Sequence, residues 1–219
     1  MKQFITLTFL LLPFFSFCQQ SELGNWIIYL GNKKISPKWN WHHEVQYRNY
    51  NVIGDLEQLL LRTGIGYNLS ENNNNILLGY GFIHSQNYLA NTNDKEQVNE
   101  HRVFQQFITK QKFGRFNLQH RYRLEQRWVQ NQPFKLRFRY FLSLNIPINN
   151  KEMTDKTVYA ALYNEIFINS TQTFFDRNRL YAGVGFKLNQ LIRFELGYMN
   201  QFFNNSSRDQ INVIVFLSF

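Results

Sequence analysis

The stretch RFNLQHRYRLEQRWVQNQPFKLRFRYFLSLNI, residues 115–146, decides the fold class of this chain. Within it, apolar and polar side chains alternate over 116–128 and again over 134–146, on either side of a short break at 131–133. This alternation predicts β-strands, because successive side chains of a strand point to opposite faces. Each run is about a dozen residues long, whereas strands of soluble proteins usually have ~5–6 residues. The stretch therefore predicts two long strands.

The two faces of these predicted strands differ in chemistry. One face is apolar and aromatic, and the other carries a dense row of arginines, namely Arg121, Arg123, Arg127, Arg137 and Arg139. Such a sheet needs a different solvent on each side, and a membrane barrel supplies lipid outside and a polar lumen inside. We therefore predict an all-β fold, a transmembrane antiparallel β-barrel of the outer-membrane type.

Composition agrees with this class. The chain has 219 residues and a mean hydropathy of −0.41, and beyond its N-terminus no stretch supplies the ~20 consecutive apolar residues of a membrane helix. The aromatic content of 17% fits the girdles that such barrels place at the two membrane interfaces. A secreted soluble barrel that binds a ligand inside is a less favoured class, because it would crowd the arginines onto the exterior.

A net charge of +9 would ordinarily suggest that the protein binds nucleic acid. Here the arginines alternate with large apolar residues instead of forming a basic patch, so we expect no nucleic-acid partner. The charge fits small anions, or the phosphates of lipopolysaccharide, in the lumen or at its mouth.

Residues 1–18 are interpreted as a signal peptide, which leaves 19–219 as the barrel domain. A lone Lys2 precedes an apolar run over 4–17, and Ser16 and Cys18 are small residues suited to cleavage before Gln19. A lipoprotein signal would place Cys18 after the cut, but Phe17 is too large for that motif. We therefore expect an exported, cysteine-free protein in the outer membrane of a Gram-negative cell.

The alternation along the whole chain gives about eleven strands. A bacterial barrel of this type should have an even number, so we expect 10 or 12 strands. Ten would result if the segment at Trp26 were not a full wall strand, and twelve if one strand escaped notice. The polar gap 87–99 is interpreted as a loop, and 102–110 is ambiguous because Gln105 and Gln106 fall on both faces.

The C-terminal strand orients the predicted barrel. Apolar residues occupy every second position from Ile211 to Phe219, which resembles the signal by which such barrels are handed to their assembly machinery. With Phe219 at the periplasmic rim, the turns at 111–114 and near Asn189 are periplasmic, and 87–99 and 203–209 are extracellular. Short periplasmic turns and longer extracellular loops are the expected asymmetry.

Charged residues on the polar face are the candidate functional residues. We expect the following side chains to line the lumen as one charge network: Arg62, Arg121, Arg123, Glu125, Arg127, Arg137, Arg139, Glu165, Arg179, Arg193 and Glu195. A narrow barrel is filled by its own side chains, and buried charges must be paired or hydrated. The network therefore serves either as a structural core or as a narrow, porin-like passage that prefers anions.

An outer-membrane enzyme that modifies lipid is the alternative function. His84 lies beside Ser85, and His101 beside Glu100, so these residues could form a Ser/His/Glu site at the extracellular rim. Neighbours on a strand point to opposite faces, however, which argues against pairing. We expect no catalytic site, no metal site and no cofactor.

Six segments are specific in combination: WNWHHEVQYRNY at 39–50, NEHRVFQQF at 99–107, RFRYFLSLNIP at 137–147, YNEIF at 163–167, FDRNRLYAGVGFKLN at 175–189 and ELGYMNQ at 195–201. They resemble a family of exported proteins from Bacteroidetes-type bacteria that is classified as a domain of unknown function and treated as outer-membrane β-barrels. The resemblance covers essentially the whole chain after the signal peptide. It implies the fold and the location, and it implies no activity.

Overall fold

A computed structural model of the chain describes residues 23–70, 73–90, 92–170 and 173–219. The predicted signal peptide lies outside these residues. They contain eleven β-strands: β1 Gly24–Lys34, β2 Trp39–Asn49, β3 Leu56–Asn68, β4 Asn74–Tyr88, β5 Lys95–Phe113, β6 Phe116–Val129, β7 Lys135–Pro147, β8 Thr157–Asn169, β9 Phe175–Lys187, β10 Ile192–Phe202 and β11 Ser207–Ser218. Over the same residues, no helix has the length and apolarity needed to cross a membrane.

The strands form one closed barrel in which each strand pairs with its neighbours in sequence. All of these pairings are antiparallel except the last, in which β1 and β11 run parallel from Gly24 opposite Gln210 to Asn32 opposite Ser218. With an odd number of strands, and therefore an even number of antiparallel steps, the first and last strands point in the same direction, so only a parallel seam can close the sheet. The all-β closed barrel is confirmed.

The expected strand number of 10 or 12 is wrong, because the barrel has eleven strands. The segment at Trp26 is a full wall strand of 11 residues that pairs with β2 on one side and β11 on the other. The assumption of an even number failed because it requires an antiparallel closing pair. Odd-stranded membrane barrels exist outside bacteria.

The loop predicted at 87–99 is also wrong. Strand β4 continues to Tyr88 and β5 begins at Lys95, so only residues between these two positions connect the strands. The polar residues of this gap belong to two strands paired as far as Tyr88 opposite Lys95. Their side chains are polar because this part of the hairpin lies near the end of the barrel.

Connections between strands group at two ends of the barrel. We call them the C-terminal rim, which holds Phe219 and the connections after β1, β3, β5, β7 and β9, and the N-terminal rim, which holds the others. The turns predicted to be periplasmic share the first rim, and the loops predicted to be extracellular share the second. The predicted length asymmetry is absent, since the longest connection, 148–156, lies at the C-terminal rim.

The alternation predicted from the sequence determines which side chains face outward. Exposed large apolar side chains surround the barrel, among them Trp41, Leu61, Leu78, Leu124 and Leu196. Their neighbours in sequence are buried in the interior, where a closed barrel holds one face of every strand. The barrel therefore has an apolar outer surface and an interior rich in charge.

Two β-bulges at the N-terminal rim change the direction of acidic side chains. In the β8–β9 pair the register shifts beside Phe167, which leaves Asp176 as the extra residue, and in the β2–β3 pair a shift beside Arg48 does the same for Glu57. A bulge can redirect a side chain to the opposite face. Asp176 accordingly binds Arg137 (3.0 Å), and Glu57 binds Arg208 (2.7 Å).

Part of the interior is apolar. One cluster of buried side chains lies on the wall formed by β8 to β11 and β1; it consists of Trp26, Ile28, Tyr159, Ala161, Tyr181, Met199 and Ile214. Tyr159 packs over Gly185, where an added Cβ would lie 2.0 Å from the ring. Glycine is therefore required there by the close approach of an aromatic ring. We call this side the apolar wall.

Candidate functional site

Glu125 is the centre of the charge network. Its side chain is 0% exposed, and it accepts hydrogen bonds from Arg137 (Nη2 to Oε2, 2.6 Å) and Arg139 (Nη1 to Oε1, 2.7 Å). Arg123 and Arg102 lie slightly farther away, at 3.7 and 3.9 Å. A carboxylate removed from water is stabilised by such charge-assisted bonds. One glutamate from β6 thus organises arginines from β5, β6 and β7.

A second carboxylate extends the network across the barrel. Glu165 on β8 accepts hydrogen bonds from Arg139 (2.6 Å) and Arg121 (2.6 Å), and Arg179 lies 3.5 Å away. On the other side, Glu44 of β2 binds Arg62 of β3 at 2.5 Å. Because Arg139 binds both Glu125 and Glu165, the ion pairs of these two carboxylates form one connected network.

The structure buries most of the predicted lumen residues within this network: Arg62, Arg123, Glu125, Arg137, Arg139, Glu165, Arg179 and Glu195. Arg121, Arg127 and Arg193 are half-buried. Glu195 also lines the C-terminal cavity, beside the apolar wall, where it accepts a hydrogen bond from Tyr159 (2.8 Å) and lies 3.9 Å from Arg193. The other ten residues also lie in the interior of the barrel, where the guanidinium group of Arg193 stacks on Phe216 (3.8 Å to the ring centroid).

Several lumen residues were missed by the sequence analysis: Arg48, Glu100, Arg102, Asp176 and Arg177. Glu100 binds both Arg102 (2.5 Å) and Arg127 (2.6 Å). The alternation of Glu100 and Arg102 with His101 and Val103 is a usable signal, but Gln105 and Gln106, which fall on both faces, obscure it. Asp176 could not be found from the sequence, because its inward position depends on a bulge.

Two cavities enter the lumen from opposite rims. The C-terminal cavity has a volume of about 740 Å³, and its lining includes Leu30, Phe216 and Lys110. The N-terminal cavity has about 210 Å³ and includes Ser85 and Asn87. Four side chains line both cavities, namely Arg48, Arg62, Arg139 and Arg179. We call these four the septum, because a single layer of side chains separates the two cavities.

Positive charge exceeds negative charge in the lumen. Among the described residues, eleven arginines of the barrel strands contribute to it, namely Arg48, Arg62, Arg102, Arg121, Arg123, Arg127, Arg137, Arg139, Arg177, Arg179 and Arg193. Six carboxylates pair with them, namely Glu44, Glu100, Glu125, Glu165, Asp176 and Glu195. The lumen therefore carries a surplus of five arginines over carboxylates.

Histidines on the outer surface form hydrogen bonds with neighbouring strands. His101 Nδ1 lies 2.6 Å from Tyr80 Oη, His120 Nδ1 lies 2.8 Å from Tyr140 Oη, and His84 Nδ1 lies 2.9 Å from Asn99 Oδ1. Each pair joins two outward-facing side chains on adjacent strands. These contacts stabilise the wall in the manner of cross-strand pairs.

The candidate rim site does not assemble in this structure. Ser85 faces the lumen, where its hydroxyl accepts a hydrogen bond from Gln58 (2.7 Å), whereas His84 faces outward. Glu100 is buried against Arg102 and Arg127, and the adjacent His101 faces outward. Strand alternation separates each histidine from its proposed partner, as the sequence analysis anticipated.

The rims carry ionic contacts of their own. Asp55, in the β2–β3 connection, binds Lys95 and accepts a hydrogen bond from Tyr88 (2.8 Å). Partial burial opposes ionisation of Asp55, but the bonds from Lys95 and Tyr88 outweigh it and lower its pKa. At the other rim, Lys112 binds the exposed Glu152 at 2.8 Å and lowers the pKa of that carboxyl group.

Phe219 lies at the C-terminal rim. Its backbone continues the seam, since its N–H donates to Asn32 and its carbonyl accepts from Lys34 (2.6 Å). Its ring packs on the outer surface against His43, with 5.8 Å between the ring centroids. The last residue thus fixes the end of the parallel pair.

Comparisons with known proteins identify the family but no activity. Within the described residues, no three His, Cys, Asp or Glu side chains are grouped as metal ligands. No curated protein and no solved structure matches the chain. A family model described as "Protein of unknown function (DUF2490)" matches residues 23–212. The chain therefore belongs to the DUF2490 family of proteins of unknown function.

Proposed function

We propose that this protein is a non-enzymatic outer-membrane β-barrel of a Gram-negative, Bacteroidetes-type bacterium, whose arginine-rich lumen is a narrow passage that prefers anions. The observation that carries the proposal is the contrast between an apolar outer surface and a cationic interior. Lipid can solvate the first, and water with small anions can solvate the second.

The outer surface supports insertion into lipid. Apolar side chains are exposed around the whole barrel, and aromatic residues cluster near both rims, such as Trp39 with Tyr67 and Trp128 with Phe134. Polar groups on this surface bind one another, as in the hydrogen bond from Trp41 Nε1 to Thr63 (2.8 Å). Mutual satisfaction of polar groups is what a lipid environment requires, because lipid tails offer no hydrogen-bond partners.

The lumen supports a preference for anions. Its arginines outnumber its carboxylates, and a confined space with low-dielectric walls strengthens the resulting field. The septum is one layer of side chains thick, so small movements of Arg62 or Arg139 would connect the two cavities. We therefore expect small, brief conductance steps and no large open pore.

Planar-bilayer conductance of the purified, detergent-extracted protein tests this proposal. Folding is first confirmed by the mobility of the unboiled protein on a gel. Under a KCl gradient we expect discrete steps whose reversal potential shows chloride selectivity. Arg62→Ala, which removes a septum side chain, should raise the conductance, and Arg121→Gln should reduce the selectivity. Lys151→Gln, in an exposed connection, is the matched control and should change neither.

If the folded and inserted barrel shows no conductance, the proposed passage is rejected and the barrel is a closed scaffold. Cation-selective steps would contradict the electrostatic argument. Lipid turnover by the silent barrel, measured with labelled phospholipid or lipopolysaccharide, would support the enzyme alternative instead.

Export and assembly belong to the same proposal. The chain is expected to leave the cytoplasm through a cleaved signal peptide and to reach the assembly machinery through its C-terminal strand. Phe219→Ala should lower the amount of heat-modifiable barrel in the outer-membrane fraction of cells, whereas Phe113→Ala, at another exposed aromatic of the same rim, should not. Equal losses from both variants would remove the special role of Phe219.

A further inference from the structure

The N-terminal cavity is lined almost entirely by polar groups and has an unusual charge. Eight arginines line it, and Glu100 is the single carboxylate residue among the described residues of its wall. Its volume of about 210 Å³ is below the ~300–1,000 Å³ of sites that take drug-sized ligands. The cavity is therefore suited to a small anion or to one charged group of a larger molecule.

Most of these arginines already have carboxylate partners. Arg102 and Arg127 bind Glu100, Arg137 and Arg139 bind Glu125, and Arg62 binds Glu44. Glu165 and Asp176 complete the set of carboxylates that reach the cavity arginines. Among the described residues, eight arginines thus face five carboxylates, which leaves an excess of at least three positive charges.

The uncompensated charge is concentrated on Arg48, Arg177 and Arg179, which we call the arginine arc. Arg48 is buried, and within the described chain its hydrogen-bond partners are the neutral amides of Gln46 (2.6 Å) and Gln58 (2.7 Å). Arg179 donates to neutral Gln201 (2.7 Å), and its nearest carboxylate oxygen is 3.5 Å away. Arg177 lies 3.3 Å from Asp176, which it shares with Arg137, and its Nε has no hydrogen-bond partner in the part of the chain that the structure describes.

Aromatic rings hold the arc in position. Trp26 lies beneath the guanidinium groups of both Arg48 (3.7 Å to the ring centroid) and Arg179 (4.8 Å). Phe167 contacts four guanidinium groups, including those of Arg177 (5.9 Å) and Arg179 (4.5 Å). Stacking orients a guanidinium group without neutralising its charge. The like charges are therefore held close together, at an energetic cost that a bound anion would offset.

We propose that the arginine arc binds a phosphate-like oxyanion, either free orthophosphate or a phosphoryl group that enters from the N-terminal rim. Guanidinium groups bind tetrahedral oxyanions through paired N–H donors, which a halide cannot match. Asn87, near the end of β4, and Gln132, in the β6–β7 connection, line the cavity at this rim, so the opening is polar. Rigid placement by Trp26 and Phe167 reduces the entropic cost of binding.

The test is calorimetric titration of the folded full-length barrel in non-ionic detergent with inorganic phosphate at constant ionic strength. We expect saturable binding that chloride does not reproduce. Arg48→Gln, Arg177→Gln and Arg179→Gln should each weaken it at least about tenfold, because each removes a charge-assisted bond. Arg177 is the most exposed of the three, so its variant keeps the test valid if the others do not fold.

Arg208→Gln is the matched control. Arg208 carries the same charge near the same rim, but it is paired with Glu57 at 2.7 Å and does not line the cavity. Binding should change by no more than about twofold, since its charge is already compensated. Equal losses in Arg208→Gln and Arg48→Gln would overturn the proposal, because they would indicate general attraction to a cationic barrel.

Phe167→Leu separates placement from charge. It leaves every charge in the cavity unchanged and removes the ring on which the guanidinium groups stack, so phosphate binding should weaken while the protein remains folded. Unchanged binding in this variant would show that net charge alone attracts the anion, and it would overturn the arc as an organised site.

Two sources of the phosphoryl group are distinguished by a second titrant. Phosphatidic acid in mixed micelles should bind with the same dependence on Arg48 and Arg177 if the ligand is a lipid headgroup, whereas orthophosphate alone should bind if it is a free ion. Failure of both would overturn the proposal. The inference extends the proposed anion preference but fails separately from it: a silent barrel can bind phosphate, and a conducting barrel can lack saturable binding.

Discussion

The interior of this barrel is packed in two different ways. Around β5 to β8, Glu125 and Glu165 hold a layer of arginines by ion pairs, whereas the apolar wall near the seam packs side chains such as Ile28, Met199 and Ile214. Each part fills the same closed space, but burial of the first is favourable only where its charges are paired or hydrated. The comparison shows that a charged barrel core depends on the pairing of its side chains, whereas the apolar wall depends mainly on their fit.

The first prediction, which has the largest expected effect, concerns the charged part of the interior around β5 to β8. Glu125→Gln keeps the shape of the side chain but leaves Arg137 and Arg139 without their shared carboxylate. Removing one partner of a buried ion pair costs about 3–5 kcal/mol. Urea unfolding of the barrel in lipid vesicles, followed by tryptophan fluorescence, should show this loss.

Glu152→Gln is the control for that variant, because it removes a carboxylate from the exposed pair with Lys112. Its unfolding midpoint should match the wild type. A small effect of Glu125→Gln, comparable to that of the control, would mean that water compensates the arginines and that the network is not a core.

The second prediction breaks the apolar wall. Met199 is 0% exposed, and Met199→Ala should lower the free energy of unfolding by about 2–4 kcal/mol, since it removes buried methylene groups and leaves a cavity. The same unfolding assay measures it. Because this loss of stability involves no charge, it should stay the same between pH 5 and 8. A marked pH dependence would indicate that the apolar wall is coupled to the charge network.

The third prediction tests the fit between glycine and ring on the apolar wall. Gly185→Ala places a methyl group 2.0 Å from the Tyr159 ring, and overpacking of this kind costs about 1–3 kcal/mol. Gly81→Ala is the matched control, because the nearest neighbour of its added methyl group, Arg62 Cγ, lies farther away, at 3.2 Å. Equal midpoints for the two variants would show that the ring has room to move.

The fourth and smallest effect concerns a charge outside the barrel wall. The pKa of Asp55 lies below its ordinary value of 3.8, so the ionised form is stabilised by folding. This contribution is present above about pH 4 and is lost as the pH falls through the lowered pKa. For a contact near the surface it should stay below about 1 kcal/mol.

Asp55→Asn should therefore be slightly less stable than the wild type at pH 7, and the difference should shrink as the pH falls below about 4 through the lowered pKa of Asp55. Unfolding midpoints measured at neutral and acidic pH provide the comparison. A difference that does not shrink as the pH falls would assign the effect to hydrogen bonding with Tyr88 and not to charge.

Much of the fold could be predicted because alternation is a local property. The alternation of apolar and polar residues is enough to predict strands β6 and β7, and the same alternation predicts that Arg123, Glu125 and Arg139 face the lumen. The strand number could not be obtained in this way. It depends on how the first and last strands meet, and the parallel seam joins residues that are far apart in sequence.

The same distinction between local pattern and tertiary pairing applies to the candidate site. Which arginines face inward follows from their position in each strand, but which of them lack carboxylate partners does not. Arg48 forms no ion pair among the described residues, and Glu57, displaced by a bulge, pairs with Arg208 instead. A bulge arises from pairing between strands, so a single strand's sequence does not reveal it.

The sequence by itself determined the all-β barrel fold, the apolar exterior and the arginine-rich interior, because side-chain direction in a strand follows directly from residue order. Only the tertiary structure decided the eleven-strand closure, the septum between the two cavities and the uncompensated arginine arc. Those features depend on which strands become neighbours across the barrel, and closure of the sheet brings together charges from distant parts of the chain whose pairing no local pattern specifies.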